Sequence, residues 1–295
     1  MKTSILSWFK SHRSEVHSDG PFETHYDNGQ LKAKGIYKDG LLDGPFESFH
    51  ENGQPESSGA YVAGKEKGLW KTRFETGDLE FRGSYKEGKL DGTQEWFHKT
   101  GKLRERQVYA EGIKNGPWEF FHENGQLKSR GNYKYGQREG SFEIFYQNGQ
   151  LRSAGHHEND RRAGPYESHH ENGQLESKGE YQDGKKNGPW KTFHDNGQVA
   201  STGHYENGKK TGPWETFHEN GRPESCGEYM AGKREGPFEK YSQEGLLIVR
   251  ENYKNGKQDG LYESFDENGK LKTKGFFKNG VADGPYELYK DGVLQ

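Results

Sequence analysis

Apolar and polar residues alternate in short stretches along this chain, and the alternation restarts every 24 residues. Glycines mark each restart: Gly20, Gly44, Gly68, Gly92, Gly116, Gly140, Gly164, Gly188, Gly212, Gly236, Gly260 and Gly284 share one register without insertion or deletion. A fixed period of this size is the signature of a repeat protein, whose units touch mainly their neighbours. With these glycines as position 0, each copy holds two extended segments. Pro117-Trp118-Glu119-Phe120-Phe121-His122 illustrates positions 1 to 6, and Gln126 to Tyr133 positions 10 to 17. Between them sits Asn-Gly, as at Asn28-Gly29, Asn52-Gly53, Asn124-Gly125 and Asn148-Gly149. That dipeptide supplies positive φ angles and is the strongest short hairpin signal. A second turn follows, as at Asn207-Gly208-Lys209. A helix is disfavoured, because each of the recurrent glycines would cost roughly 1 kcal/mol inside one.

The pattern predicts an all-β fold: twelve β-hairpin repeats in a long twisted antiparallel meander, elongated as an open ribbon or spiral. A strand spacing of about 4.8 Å gives a rise of about 10 Å per repeat and a length on the order of 110 Å. Residues 1–18 form a non-repeat N-terminal segment and residues 19–295 the array. Ile5, Leu6, Trp8 and Phe9 are expected to cap the first strand edge, with insertion into a membrane interface as the alternative.

Two hairpin registers are open. A two-residue Asn-Gly turn sets position 2 opposite position 15 and position 17 opposite position 0, so that Trp190 covers Gly203 and Tyr205 lies against Gly188. A three-residue turn with a bulge shifts the pairing and joins Phe193 to Val199. The first explains both glycines, since an aromatic ring over a bare cross-strand glycine restores packing there. Positions 2 and 5 point to opposite faces unless a bulge intervenes. Phe22, Trp70, Trp118, Trp190 and Trp214 exemplify the first stripe. Phe49, Phe97, Phe121, Phe145, Phe193, Phe217, Tyr241 and Phe265 form the second. One open sheet buries only one stripe, so the second is expected to be an exposed, partner-binding ladder flanked by the position 3 acids Glu119 and Glu215. A bulge at the position 1 proline that tucks both stripes inward is the alternative.

Composition narrows the function classes. Hydrophobic residues are 27% and charged residues 30%, with a mean hydropathy of −1.29, values near those of disordered chains. Aromatics at 14%, on fixed repeat positions, argue for order without a globular core. Net charge is −3 with the signs interleaved, so no basic block tracks a nucleic-acid backbone. No apolar run is long enough to span a membrane. The first residues lack the apolar length of a signal peptide, and a cytoplasmic location is expected. A single cysteine, Cys226, makes no intramolecular disulfide.

The unit Gly-x-Trp/Phe-Glu-x-Phe-x-x-Asn-Gly-x-Leu-x-x-x-Gly-x-Tyr-x-x-Gly, clear from Gly116 to Tyr133 and from Gly188 to Tyr205, resembles the bacterial variant of the MORN repeat. The resemblance spans about residues 20–295. It implies a YwqK-type antitoxin that binds and neutralises a toxin. A self-associating or membrane-apposed scaffold and an intracellular glycan-binding array are the rival readings. Several copies depart from the pattern: Thr93, Gln94 and Gln107 in the fourth, His157 and Asp160 in the seventh, Glu244 and Glu251 in the tenth. These read either as drift or as marks by which a partner finds its register.

Candidate chemistry is sparse. Histidine recurs at position 6, at His50, His98, His122, His170, His194 and His218. Adjacent copies lie about 10 Å apart, too far to share one zinc ion with bonds of about 2 Å. The cluster His156, His157, His169 and His170 is the one metal candidate, set against solvated or stacking histidines. No nucleophile elbow, phosphate loop or cofactor motif is present, and the acids repeat like a solvated face. The sequence reads as a non-enzymatic protein-binding array with no cofactor.

Overall fold

A computed structural model describes residues 18–290 and 292–295; the cap expected over Ile5 to Phe9 lies outside them. The chain divides into two compact units, Met1–Gln137 and Arg138–Gln295. In both, every described regular element is a strand paired antiparallel with its neighbours in the chain. The expected all-β hairpin repeat is therefore found. In the second unit, Lys185–Phe193 pairs with Val199–Glu206 as one hairpin, and Lys209–Phe217 with Pro223–Met230 as the next.

The two proposed registers turn out to coexist. Trp190 lies opposite Gly203 and Gly188 opposite Tyr205, yet Phe193 lies opposite Val199. One bulged residue, Ala200, between Val199 and Ser201 absorbs the difference. The Asn-Gly loop is not the tight two-residue turn. His194 N–H donates to the Gln198 carbonyl and Gly197 N–H to the His194 carbonyl, which makes a three-residue loop. Only its glycine is left-handed, with φ of 85° at Gly197. The two-residue turn with both φ angles positive is the second one, as at Asn207 (50°) and Gly208 (82°). That turn matches the twist of the flanking strands.

Between hairpins the sheet carries a larger irregularity. Lys178 pairs with Lys191 and Glu180 with Asn187, so Gly188, Pro189 and Trp190 all face the single residue Gly179. Gly188 enters this bulge at φ of 78°, a conformation that costs other L-residues energy. Pro189 follows it at a place where its missing N–H removes no ladder bond to the preceding hairpin.

Two unlike faces result. Register puts positions 2, 4, 13, 15 and 17 on one face, with position 22 of the preceding copy; positions 3, 5, 11 and 14 occupy the other. The first is the core. Trp70 and Tyr61 are each 1% exposed and Trp190 is 2%. Among the described residues no second layer covers these rings, and they bury one another. Tyr166, Tyr181, Trp190, Tyr205, Trp214, Tyr229, Phe238 and Tyr253 run as a continuous edge-to-face series with centroids 5.2–6.3 Å apart. Such pairs add about 0.5–1.5 kcal/mol beyond the area they bury. Beside them Ser168 with Ser177, Thr192 with Ser201 and Thr216 with Ser225 share hydroxyl hydrogen bonds at 2.7–2.8 Å.

Trp70, Trp190, Trp214 and Phe238 each cover the position 15 glycine of the preceding hairpin rather than their own. A Cβ on Gly179 would lie 2.0 Å from Trp190, and one on Gly203 would lie 2.3 Å from Trp214, so Trp214, not Trp190, covers Gly203. Elsewhere the ring stays nearer its own glycine: Phe22 lies 2.8 Å from a notional Cβ on Gly35, and Phe142 lies 3.0 Å from one on Gly155. Gln107 takes the glycine's place before Trp118, and Trp118 leans instead on its own Gly131, 2.6 Å from that glycine's notional Cβ.

Gly179→Ala is expected to destabilise the second unit by about 1–3 kcal/mol, because the rigid indole must move. Trp190→Ala should cost about 3–5 kcal/mol. With Ala at 190 the obstacle is gone, so the double variant should lose clearly less than the sum of the two. Denaturant melts of the three variants check this; strict additivity would mean the ring and the glycine do not meet.

His157, at a tyrosine position, is 8% exposed and packs 4.4 Å from the Phe142 ring centroid. Burial, then the charges of Arg138 and Arg162, hold its imidazole below the ordinary value. The unfolded chain therefore takes up the proton more readily. The stability tied to this group is intact above its unfolded value of about 6.5 and is lost as pH falls below it. His157→Tyr is expected to raise Tm and to shrink the drop in Tm between about pH 7.5 and about pH 5.5. Calorimetry at the two pH values is the check; an unchanged drop would clear His157.

Candidate interaction surface

On the second face, positions 3 and 14 fall opposite each other across every strand pair and form a transverse row of charges. In the first unit Glu23, Lys34 and Glu47 follow one another, and Lys34 Nζ sits 2.8 Å from Glu47. Farther along, Arg106 bridges Glu95 at 2.9 Å and Glu119 at 3.0 Å, while Arg82 also binds Glu95. Burial works to raise the Glu95 carboxyl, but the two guanidiniums outweigh it and hold it below its ordinary value. In the second unit Arg250 repeats the motif between Glu239 at 2.9 Å and Glu263 at 3.4 Å. Isolated exposed pairs contribute little; a row fixed by strand register keeps the charges in order.

The position 5 rings lie on this same face, two residues along each strand from the row. Phe49, Phe97, Phe121, Phe145, Phe193, Phe217, Tyr241 and Phe265 are all half-buried, none exposed. Their cover is local. Each sits opposite the apolar residue at position 11, as Phe193 does Val199 and Phe145 does Leu151. Cations at position 14 of the preceding copy approach the rings: Lys34 over Phe49, Arg82 over Phe97 and Lys178 over Phe193, at 5.6–5.9 Å. The bulge at Gly-Pro is present, but it precedes position 2 and leaves the two stripes on opposite faces.

The row changes its charge order in several places, Cys226 between Glu215 and Glu239 among them. Lys71 stands in a glutamate position beside Arg82. In the second unit the order runs Glu143, Ala154, Glu167, Lys178, Lys191, Thr202. Ala154 removes a cation between two acids, and Lys178 faces Lys191, a like-charge pair that register holds together. An open groove of about 1170 Å³ lies there, lined among others by Glu143, Ala154, His156, Glu167, Lys178 and Lys191.

The remaining sequence candidates are structural. Position 6 histidines tie one copy to the next: Nε2 of His50, His170, His194 and His218 lies 2.7–3.0 Å from the carbonyls of Arg73, Phe193, Phe217 and Tyr241. Asparagines of the loop do the same. Asn172, Asn196 and Asn220 donate from Nδ2 to the carbonyls of Asp195, Glu219 and Gln243, while their Oδ1 atoms accept an N–H two residues on. At the other edge, Asp43, Asp91 and Asp259 accept the N–H of the next tight turn at Ala63, Glu111 and Asn279. Of the four clustered histidines, His156 and His157 are strand neighbours on opposite faces, and His170 is bound to Phe193 and Asp195. Among the described residues no three His, Cys, Asp or Glu side chains are grouped as for a metal ion.

The family model for "MORN repeat variant" matches nine segments: 18–39, 42–63, 90–111, 114–135, 138–159, 162–183, 186–207, 210–230 and 258–279. Copies outside these segments still form the hairpin, as Lys65–Arg73 with Leu79–Lys86 and Lys233–Tyr241 with Leu247–Lys254. No curated protein matches. Among solved structures, one described as the crystal structure of TcdB2-TccC3 aligns over 93% of this chain at 11% identity with a TM-score of 0.21. A second, of TcdB2-TccC3-Cdc42, aligns over 92% at 11% identity and 0.19. The aligned region is 16% and 15% of those chains, respectively. With its hairpins in one register and most of its length matched, the chain belongs to the MORN repeat variant family.

Proposed function

We propose that the chain is a non-enzymatic protein-binding repeat protein that works in the cytoplasm as an antitoxin, occluding a cognate toxin. The observation that carries the binding reading is the groove beside Ala154, where the charge row breaks its order. One face of the strands repeats a constant set of rings, hydroxyls and glycines. The other varies its charges from copy to copy, and that variation is an address a protein partner reads. Half-exposed rings such as Phe145 and Phe193 supply apolar contact beside the charges. The toxin as partner rests on the likeness of the repeat to YwqK-type antitoxins. Acids that would suggest catalysis are engaged in the ladder, Glu95 by two arginines and Glu239 by Arg250 and Tyr241.

An affinity pull-down from the native cell at low and high salt tests this. One stoichiometric protein is expected, toxic when produced alone. Glu167→Lys and Lys191→Glu change exposed groove charges and should leave Tm within about 0.5 kcal/mol of stability. Each should weaken capture about tenfold. Recovery of only this chain, or of membrane fragments, would turn the assignment to a scaffold.

A further inference from the structure

We propose that Arg162, Lys186, Lys210 and Arg234 form a docking surface for an extended acidic segment of a protein partner, one carboxylate to each cation. These residues stand at position 22 of four successive copies and lie opposite His157, Tyr181, Tyr205 and Tyr229 on the aromatic face. They are on the other side of the strands from the groove. The inference extends the protein-binding reading to a second surface.

Each cation is held over rings. Lys186 Nζ is 3.9 Å from the Trp190 centroid and 5.2 Å from Tyr205. Lys210 repeats this at 4.0 Å over Trp214 and 5.1 Å over Tyr229. Arg162 lies 4.9 Å from Tyr166 and 5.3 Å from Tyr181; Arg234 lies 4.8 Å from Phe238 and 5.1 Å from Tyr253. The two guanidiniums also donate to the hydroxyls of Tyr181 and Tyr253. The charges are therefore fixed in place rather than free on flexible stems.

None of the four is ion-paired among the described residues, in contrast to Arg138 at the same register, which binds Asp160 at 3.2 Å. Burial, then the charges of Lys210 and Arg162, hold the Lys186 ammonium below its ordinary value. The row repels itself, and bound anions would relieve that.

Charge is not what the fold requires at position 22. The first unit carries Leu42, Glu66, Leu90 and Lys114 there, and Leu42, 4% exposed, packs in the core. Cations run unbroken at this position from Lys114 to Arg234, and of those in the second unit Arg138 alone is ion-paired among the described residues.

Spacing selects the partner. Copies rise by about 10 Å, and a polyproline II segment rises about 3.1 Å per residue with three residues per turn, so acidic residues at every third position lie on one side and match the row. Duplex nucleic acid carries one charge per about 1.7 Å, far denser than one cation per repeat.

The test uses the full chain and a labelled proline-rich peptide of about twelve residues with glutamate at every third position. Anisotropy should show binding at low ionic strength that weakens at about 0.15 M, where the screening length is about 8 Å. Binding should also change the fluorescence of Trp190 and Trp214. Lys186→Leu with Lys210→Leu, the residue the fold already accepts at this register, should lower affinity about tenfold at unchanged Tm. Lys186→Arg with Lys210→Arg should retain it. Lys185→Gln with Lys209→Gln removes the same charge from neighbouring exposed positions and should change affinity little. No binding, equal loss in both charge-removing pairs, or stronger binding of single-stranded RNA or phosphatidylserine vesicles would overturn the proposal. The groove variants Glu167→Lys and Lys191→Glu should bind the peptide normally, so failure of one surface is separable from failure of the other.

Discussion

The structure depends on one close approach, that of an aromatic ring to a bare backbone. Among the described residues no second layer covers the apolar face of the strands. The position 2 ring solves this by packing against a position 15 glycine, that of the preceding hairpin for Trp70, Trp190, Trp214 and Phe238, where a Cβ would collide with it. The rest of the repeat follows. The Gly-Pro bulge supplies two extra residues that bring the ring over that glycine. The position 17 tyrosine closes the gap between successive rings edge to face. Side chains at position 22 lie over the stack, as Leu42 by packing or Lys186 by its charge and stem. Removing the ring or filling the glycine breaks the same contact, and neighbouring copies feel it because each ring belongs to two hairpins.

Stability in such an array is a sum of unit and neighbour terms, and the neighbour terms here are unusually polar. Histidine or tyrosine at position 6, asparagine at position 8 and the acid or amide at position 23 each reach a backbone group of the next copy. These bonds satisfy loop carbonyls and turn amides that would otherwise face only water. They also explain how a chain so poor in aliphatic residues stays ordered. The polar residues that lower its hydropathy are the connections between its repeats.

How much of this was legible in the residues follows from what repeats. The period, the hairpins, the pairing of position 2 with position 15 and the opposition of the two stripes all rest on alternation and glycine spacing, and they hold. The two turns were read in the wrong order. Asn-Gly is equally at home in a tight turn and in a three-residue loop, and the asparagine of the loop is retained for its side-chain bonds rather than for a left-handed backbone. The tight turn admits Ala63, Glu87 and Tyr135 at positive φ, so composition does not announce it. The histidine row reaches carbonyls 23 residues ahead, a relation no local pattern displays. The position 5 rings were expected to be bare because the cations that lean over them come from another hairpin. Position 22 drew no notice, since lysine and arginine in a charged chain look like solvated surface until the rings beneath them are placed.

The departures from the repeat are best understood as coupled rather than scattered. Gln94 and Gln107 lie opposite each other, one in an aromatic position and the other in a glycine position. With Gln107 in the glycine position before it, Trp118 packs on its own Gly131 instead. Gln94 fills the slot over Gly83 with an amide, fully buried, whose Nε2 lies 2.9 Å from the Ser84 carbonyl. Asp160 shows a similar compensation. It holds the left-handed turn position of a glycine at φ of 66°, and its carboxylate accepts the Arg138 N–H at 2.9 Å. Glu251, in another glycine position, is buried with the hydroxyl of Tyr253 and the amide of Gln258 as partners, and the following ring, Tyr262, is only half-buried. Each irregular copy thus carries its own local repair. Because the repairs lie on the aromatic face, the alternation of charge on the opposite face is left free to differ from copy to copy. A uniform array gains a distinguishable position along its length in this way without loss of the contact that holds it together.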